Sequence, residues 1–224
     1  MRKIIHPKTK REGLFITFEG IEGCGKTTQA RIFADWLKSR GVKTVLTREA
    51  GATRLGRVFR KILLDPRRSA LSPLAETFLY IADRAVHIKE VIAPNLKKGN
   101  VVISDRFHDA TVAYQGYGRG APIKLIENIH GEIVGSLVPD ITFFLDISPR
   151  VGLRRARRRD LAFGKTETEG RFEAEALAFH EKVRNGYLKI AKSAPRRFEV
   201  IDADGEVGEV QHKIRFRFKK LLAL

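Results

Sequence analysis

The chain has 224 residues, 43% hydrophobic and 31% charged, enough to bury one large core or two small ones and outside the range of disordered or collagen-like chains. No apolar run approaches the roughly 18 residues that cross a bilayer, and the basic start MRKIIHPKTKREG lacks the apolar stretch of a secretory signal, so the cytoplasm is the expected compartment. The 43 Lys and Arg against 26 Asp and Glu give a formal charge of +17, which attracts polyanions; with no zinc-ligand set, RNA-binding aromatic signature or low-complexity tract beside it, nucleic acid is not expected as a partner.

Residues 1–13 read as a basic tail, and 14–224 as one domain without linker or repeat. LFITFE (14–19) reads as a buried strand, 26–39 as a helix stopped by Gly41, and KTVLT (43–47) as a second strand. RLGRVFRKILL (54–64) is a short helix broken at Pro66, and 73–97 is a long helical pattern stopped by Gly99. VVISD (101–105) is a buried strand, GYGRGAP (116–122) a loop, and 123–135 helical. DITFFLD (140–146) is the fourth strand, 149–160 an arginine-rich helix, and LAFGKTETEG (161–170) a polar, mobile loop. Residues 172–193 read as helix, FEVID (198–202) as the fifth strand, and 206–222 as the closing helix. Strands alternating with helices predict an α/β fold with a parallel five-stranded sheet and helices on both faces.

GIEGCGKTT, residues 20–28, follows the first strand and opens the first helix. It fits G-x-x-x-x-G-K-[ST], the loop whose backbone N–H groups cradle phosphates at a helix N-terminus. Gly20, Ile21, Glu22, Gly23, Cys24, Gly25, Lys26, Thr27 and Thr28 are therefore the expected ATP-binding residues. Lys26 reaches the β and γ oxygens, and the Thr27 hydroxyl serves Mg²⁺. Cys24 is the only cysteine, which excludes an intrachain disulfide. A small side chain filling a small slot is the favoured reading of it; a thiol near a helix N-terminus can also have a lowered pKa, in which case its oxidation or alkylation would block nucleotide binding. Asp105 ends the third strand and suits Mg²⁺, while Arg106 beside it puts a rigid fork where a second phosphate would sit. The fold is thus of the P-loop NTPase type.

FEGIEGCGKTTQA (18–30), TREAGAT (47–53), ETFLYIADRAVH (76–87), DRFHDATVAYQGYGRG (105–120), PDITFFLD (139–146) and FHEKVRNGYLKIA (179–191) together resemble the thymidylate kinases, a resemblance that covers nearly the whole chain from Leu14. It implies transfer of the γ-phosphoryl group of ATP to dTMP, with Mg²⁺, in a homodimer whose interface includes 73–97. By resemblance, Tyr80 stacks on thymine where the family usually has Phe, and Arg84 donates to a carbonyl of the base. Thr111 and Gln115 contact the base edge, Tyr114 lies under the sugar, Glu22 reaches its 3′-hydroxyl, and Arg60 grips the acceptor phosphate with Arg106.

GLRRARRRD (152–160) supplies a lid of arginines at about 150–171 that closes over ATP. Where some members carry an arginine in the phosphate loop this chain has Gly23, so the arginine that neutralises the transferring group is expected from the lid: Arg159, with Arg155 and Arg157 behind it. Lys26, Asp105, Arg106 and Arg159 are the expected catalytic set. The family's REPGG reads REAGA here, with Ala50 and Ala52, which leaves Arg48 and Glu49 open as substrate contacts; its DR before the closing lid helix reads Gly170–Arg171. The alternatives weighed are a nucleotide or deoxynucleoside kinase of other base specificity and a nucleic-acid-binding ATPase.

Overall fold

The computed structural model describes residues 13–65, 71–135, 137–162, 171–173 and 175–221. The elements in chain order are β1 Phe15–Glu19, α1 Lys26–Lys38, β2 Thr44–Arg48, α2 Arg54–Leu64, α3 Pro73–His87, α4 Ala93–Lys97, β3 Val101–Asp105, α5 His108–Thr111, α6 Ile123–Val134, β4 Ile141–Asp146, α7 Pro149–Ala162, α8 Leu177–Ser193, β5 Phe198–Asp202 and α9 Val207–Leu221. The five strands form one sheet in the order β2-β3-β1-β4-β5, with every adjacent pair parallel. Continuous apolar runs make β1, β3 and β4 its buried centre, and the half-exposed β2 and β5 its edges. The chain leaves β1 towards β2 and β3 on one side and returns to β4 on the other. The carboxyl end of β1 is therefore the switch point, where open α/β sheets place their ligands.

Alternation along β1 sorts the core. Phe18 meets Phe33 of α1 and Phe143 of β4, with ring centroids 5.9 and 5.3 Å away, and Phe33 meets Phe218 of α9 at 5.0 Å. Phe15 faces the other way and packs edge-on against Phe107 at 4.9 Å, in a cluster with Ile92 and Leu96. Helices cover both faces, as the pattern predicts.

Most boundaries fall within two residues of the sequence reading, and three segments depart from it further. The helix expected over 73–97 is continuous but contains a π-helical turn, Ile88–Ile92, just before Pro94, whose ring has no N–H to give. The loop expected at 116–122 starts later, because a π-helical stretch, Val112–Gly118, continues α5; at Gly118 a side chain would strike Phe179 and Val183 of α8. The helix expected over 172–193, α8, begins at Leu177, because Arg171 and Phe172 turn inward and are buried. Residues 1–12 of the basic tail and 163–170 of the expected lid loop lie outside the described residues, and Gly13 is buried against the Leu96 and Asn100 carbonyls.

Candidate active site

A cavity of about 780 Å³ opens at the carboxyl ends of β1 and β3. The phosphate loop forms one end through Glu22, Gly23, Gly25, Lys26, Thr27 and Thr28. Gly20, Ile21 and Cys24 stand behind it: the Lys26 ammonium donates to the Ile21 carbonyl at 2.7 Å, and an Arg106 Nη1–H to the Gly20 carbonyl at 3.2 Å. Gly23 has φ 71°, and a Cβ there would lie 1.9 Å from the Gly152 carbonyl oxygen. A Cβ on Gly152 would in turn lie 2.5 Å from the Glu22 carbonyl oxygen. These two glycines let α7, the arginine helix, pack backbone to backbone on the phosphate loop.

The Thr27 hydroxyl donates to Oδ2 of Asp105 at 2.5 Å. Two hard oxygen donors at the cavity wall fit Mg²⁺, which binds through one or two protein oxygens and keeps water and phosphate oxygens for its other positions.

Arg106 is the one described non-glycine residue with positive φ, 74°. The left-handed backbone costs energy, and its carbonyl is held by the Ser104 hydroxyl at 2.7 Å. The turn swings the guanidinium back over β1, where Nη2 donates to Glu22 Oε1 at 2.8 Å and to the Tyr114 hydroxyl at 3.0 Å. Tyr114 also donates to Glu22 at 2.7 Å, and His180 Nδ1 lies 3.3 Å from Glu22 Oε2. Burial would raise the Glu22 pKa, but His180, Arg106 and Lys26 outweigh it and hold it down at about 2. Glu22 is therefore a fixed anion and a very weak base.

At the other end of the cavity lie Tyr80, Thr111 and Gln115, with Arg60, Arg48, Glu49 and Ala50 along the side. Burial, and next Glu76, keep the Tyr80 phenol protonated. Gln115 Nε2 donates to Glu76 Oε1 at 2.7 Å, and Arg60 Nη1 donates to the Ala50 carbonyl at 3.0 Å. Arg84 departs from the sequence reading and does not line the cavity. Four of its N–H groups are spent on Glu49 (2.8 Å), His130 (2.7 Å), the Phe107 carbonyl (3.1 Å) and Thr111 Oγ1 (3.0 Å). It fixes Thr111 and Glu49 from behind, because a guanidinium buried to 1% exposure must satisfy its donors with protein groups. The REAGA segment, in contrast, does reach the cavity despite Ala50 and Ala52.

The arginines of α7 separate by helical phase. Arg155 and Arg159, four apart, share the face that lines the cavity, while Arg154, Arg157 and Arg158 point to solvent. Of the two arginines expected behind Arg159, Arg155 thus shares its face and Arg157 does not. Arg155 donates to the Ala203 carbonyl at 2.9 Å, and Arg159 Nη2 lies 3.2 Å from Glu173 Oε1.

Sequence reasoning missed His180, Glu19 and Glu76. Glu19 accepts from the Phe107 N–H and the Tyr187 hydroxyl, both at 2.7 Å, and burial pushes its pKa up. Buried Glu76 accepts from Gln115 and Arg171. An acidic residue ending β1 and one four positions before Tyr80 on α3 were the available signals; His180 left none beyond its place in a long helix. The redox reading of Cys24 is corrected: the thiol is 3% exposed, and burial raises its pKa against the pull of Lys26.

The family model described as Thymidylate kinase matches residues 18–214. The Thymidylate kinase of Desulfovibrio desulfuricans is 50% identical over 190 residues, 85% of this chain and 88% of that protein. That of Oleidesulfovibrio alaskensis is 49% identical over 202 residues, 90% of this chain and 95% of the relative. The crystal structure of thymidylate kinase from Ehrlichia chaffeensis superposes with a TM-score of 0.73 at 34% identity, covering 92% of this chain and 98% of that one.

Proposed function

The chain belongs to the thymidylate kinase family, and from that premise we propose how its residues carry the γ-phosphoryl group of ATP to dTMP, giving dTDP and ADP. The enzyme is an ATP-dependent kinase of dTMP. Lys26 and the loop N–H groups hold the β and γ phosphates. Thr27 and Asp105 hold Mg²⁺, which when bound neutralises phosphate charge. Arg106 and Arg60 grip the acceptor phosphate, whose oxygen attacks the γ-phosphorus as the bond to ADP breaks.

The observation that carries this reading is the weak basicity of Glu22, clamped by Arg106 and Tyr114 opposite Lys26. A nucleoside hydroxyl needs a base to take its proton. A monophosphate oxygen is already anionic and needs charge neutralisation instead. A carboxylate with pKa about 2 cannot serve as that base but can accept a hydrogen bond from a sugar 3′-hydroxyl. Gln115, with Nε2 tied to Glu76, offers Oε1 as acceptor for the thymine N3–H, and Thr111 is held in place by Arg84. Tyr80 provides the stacking face, and Tyr114 the floor under the sugar. Arg159, with Arg155, neutralises the group in flight, so that α7 acts as the lid element.

Exposed apolar side chains on adjoining α2 and α3, namely Leu55, Val58, Leu74 and Phe78, support a homodimer through that face. Among the described residues no helix is long and apolar enough to cross a membrane, and cytoplasmic ATP and dTMP suit a cytoplasmic location. Steady-state turnover with dTMP, dUMP, dCMP, dAMP and thymidine, with and without Mg²⁺, tests the reading. It predicts the highest kcat/KM for dTMP and none for thymidine; turnover of thymidine equal to that of dTMP would overturn it.

A further inference from the structure

Glu76, in the first turn of α3, is fully buried and lies one helical turn before Tyr80. Tyr80 and Gln115 line the nucleotide cavity; Glu76 stands behind them and does not line it. Three groups converge on its carboxylate. Arg171 Nη2 donates to Oε2 at 2.5 Å, and Gln115 Nε2 donates to Oε1 at 2.7 Å. Arg119 Nε lies 3.7 Å from Oε1, too far for a hydrogen bond but close enough to add positive charge. Both arginines are themselves tethered: Arg171 Nη1 donates to the Leu63 carbonyl at 3.1 Å, and Arg119 Nη2 lies 2.6 Å from Glu175 Oε1.

A buried charge is costly, and pairing with Arg171 offsets that cost. Gln115 has no charge to offer, yet it takes one of the two carboxylate oxygens and ties the ion pair to the cavity wall. The tie has a direction. An amide has a donor end and an acceptor end of nearly the same shape, whereas a carboxylate held between guanidinium groups only accepts. Gln115 therefore turns its NH2 towards Glu76. Its Oε1 accepts from no described residue and is not among the sealed, unpartnered buried atoms. It opens on the cavity that Gln115 lines.

We propose that Glu76 is a positioning residue that sets the hydrogen-bond polarity of the base pocket. By pinning Gln115 as an acceptor it selects nucleobases with a ring N–H at that edge, as in thymine and uracil, and rejects those with a ring lone pair there, as in cytosine. The cytosine N3 would meet Gln115 Oε1 with no proton between them. Turning the amide over to suit cytosine would bring its oxygen against the Glu76 carboxylate, so the penalty moves and does not vanish. Arg171 completes the device: it holds the other carboxylate oxygen and, having only N–H groups, accepts nothing but an oxygen in that place. The proposal rests on the base-edge role proposed for Gln115.

In Glu76→Gln the new carbonyl oxygen is drawn to Arg171, which only donates. The new NH2 then faces Gln115, on the side that Arg119 flanks at the longer distance. Gln115 is expected to turn over, giving its oxygen to residue 76 and its NH2 to the cavity. Glu76→Asp is shorter by one methylene but keeps two acceptors. The measurement is kcat/KM for dUMP and dCMP, which differ only at this edge of the base, in wild type and both variants. Wild type is expected to favour dUMP by at least about 10²-fold. Glu76→Gln is expected to lose at least about tenfold of that preference, and Glu76→Asp to keep it within about threefold even where both rates fall. Undiminished discrimination in Glu76→Gln, or an equal loss in Glu76→Asp, would overturn the role of Glu76 alone. A wild type indifferent between the two bases would overturn the acceptor role of Gln115 and, with it, this proposal.

A second readout needs no variant at residue 76. The side-chain NH2 of Gln115 in the full chain, assigned by its loss in Gln115→Met, is bonded to a buried carboxylate and is expected to exchange slowly with water even without nucleotide. Exchange as fast as that of an exposed glutamine would overturn the orientation, whether or not Glu76→Gln folds.

Discussion

Glu22 and Arg106, 84 residues apart in the chain, meet at 2.8 Å because the left-handed turn at Arg106 folds its guanidinium back over the end of β1. The pair joins the two halves of the site, since Glu22 belongs to the phosphate loop and Arg106 follows Asp105, which accepts from the Thr27 hydroxyl. Replacing Arg106 by Gln removes the fork proposed to grip the acceptor phosphate and leaves Glu22 less compensated. The expected result is a fall in kcat/KM for dTMP of at least about 10²-fold, with kcat and KM both affected. Arg106→Lys restores charge without the fork and is expected to recover only part of it. Steady-state kinetics of both variants checks this.

The helical phase of α7 gives a paired prediction. Arg159→Ala is expected to lower kcat by roughly 10²-fold with little change in dTMP affinity, as for arginines that act on the transferring group. Arg157→Ala, on the solvent side of the same helix, is expected to leave kcat within about twofold of wild type. Equal losses in the two variants would point to general charge rather than position.

The close approach of Gly23 and Gly152 makes the junction between phosphate loop and α7 intolerant of a methyl group. A Cβ at residue 152 would lie 2.5 Å from a backbone oxygen that has no room to retreat without moving the loop. Gly152→Ala is expected to destabilise the fold by about 1–3 kcal/mol and to weaken ATP binding, although Ala is otherwise the better helix former. Thermal unfolding with and without ATP measures both effects.

Glu22 also predicts an acid limb of stability. Its pKa falls from 4.5 to about 2 in the folded protein, so the folded state favours the ionised form. That contribution is complete above pH 4.5 and is lost as pH falls from 4.5 towards 2. A shift of this size corresponds to about 3 kcal/mol. Denaturant unfolding between pH 6 and pH 3 is expected to show wild type losing stability faster than Glu22→Gln, which has no proton to take up at this site.

Much of this was legible in the residues. The α2, β3 and β5 runs fall where the sequence reading put them, because turn-forming residues bound short apolar or amphipathic stretches. The phosphate loop could be read because its chemistry is local, with strand, glycines, lysine and helix contiguous. The π-helical turns could not, since an i to i+5 bond leaves no periodicity of its own over five residues and is imposed by packing against α8 and by Pro94. The resemblance implied Arg84, four residues after Tyr80 on the same helix, as a base contact. Its burial against Glu49, His130 and Thr111 depends on three other segments of the chain. Glu19 and Tyr187, bonded across 168 residues, and His180 beside Glu22 are likewise products of the tertiary fold. The six arginines of α7 look alike in sequence, and only its docking on Gly23 shows that Arg155 and Arg159 face the cavity.

The central claim is that this cavity passes phosphate from one nucleotide to another and keeps it from water. The most direct measurement follows the γ-labelled phosphoryl group of ATP through a single turnover with excess enzyme and dTMP, separating dTDP from inorganic phosphate. The account predicts nearly all of the label in dTDP, and far slower release of inorganic phosphate when dTMP is left out. Label emerging mainly as inorganic phosphate, at a rate indifferent to dTMP, would contradict it.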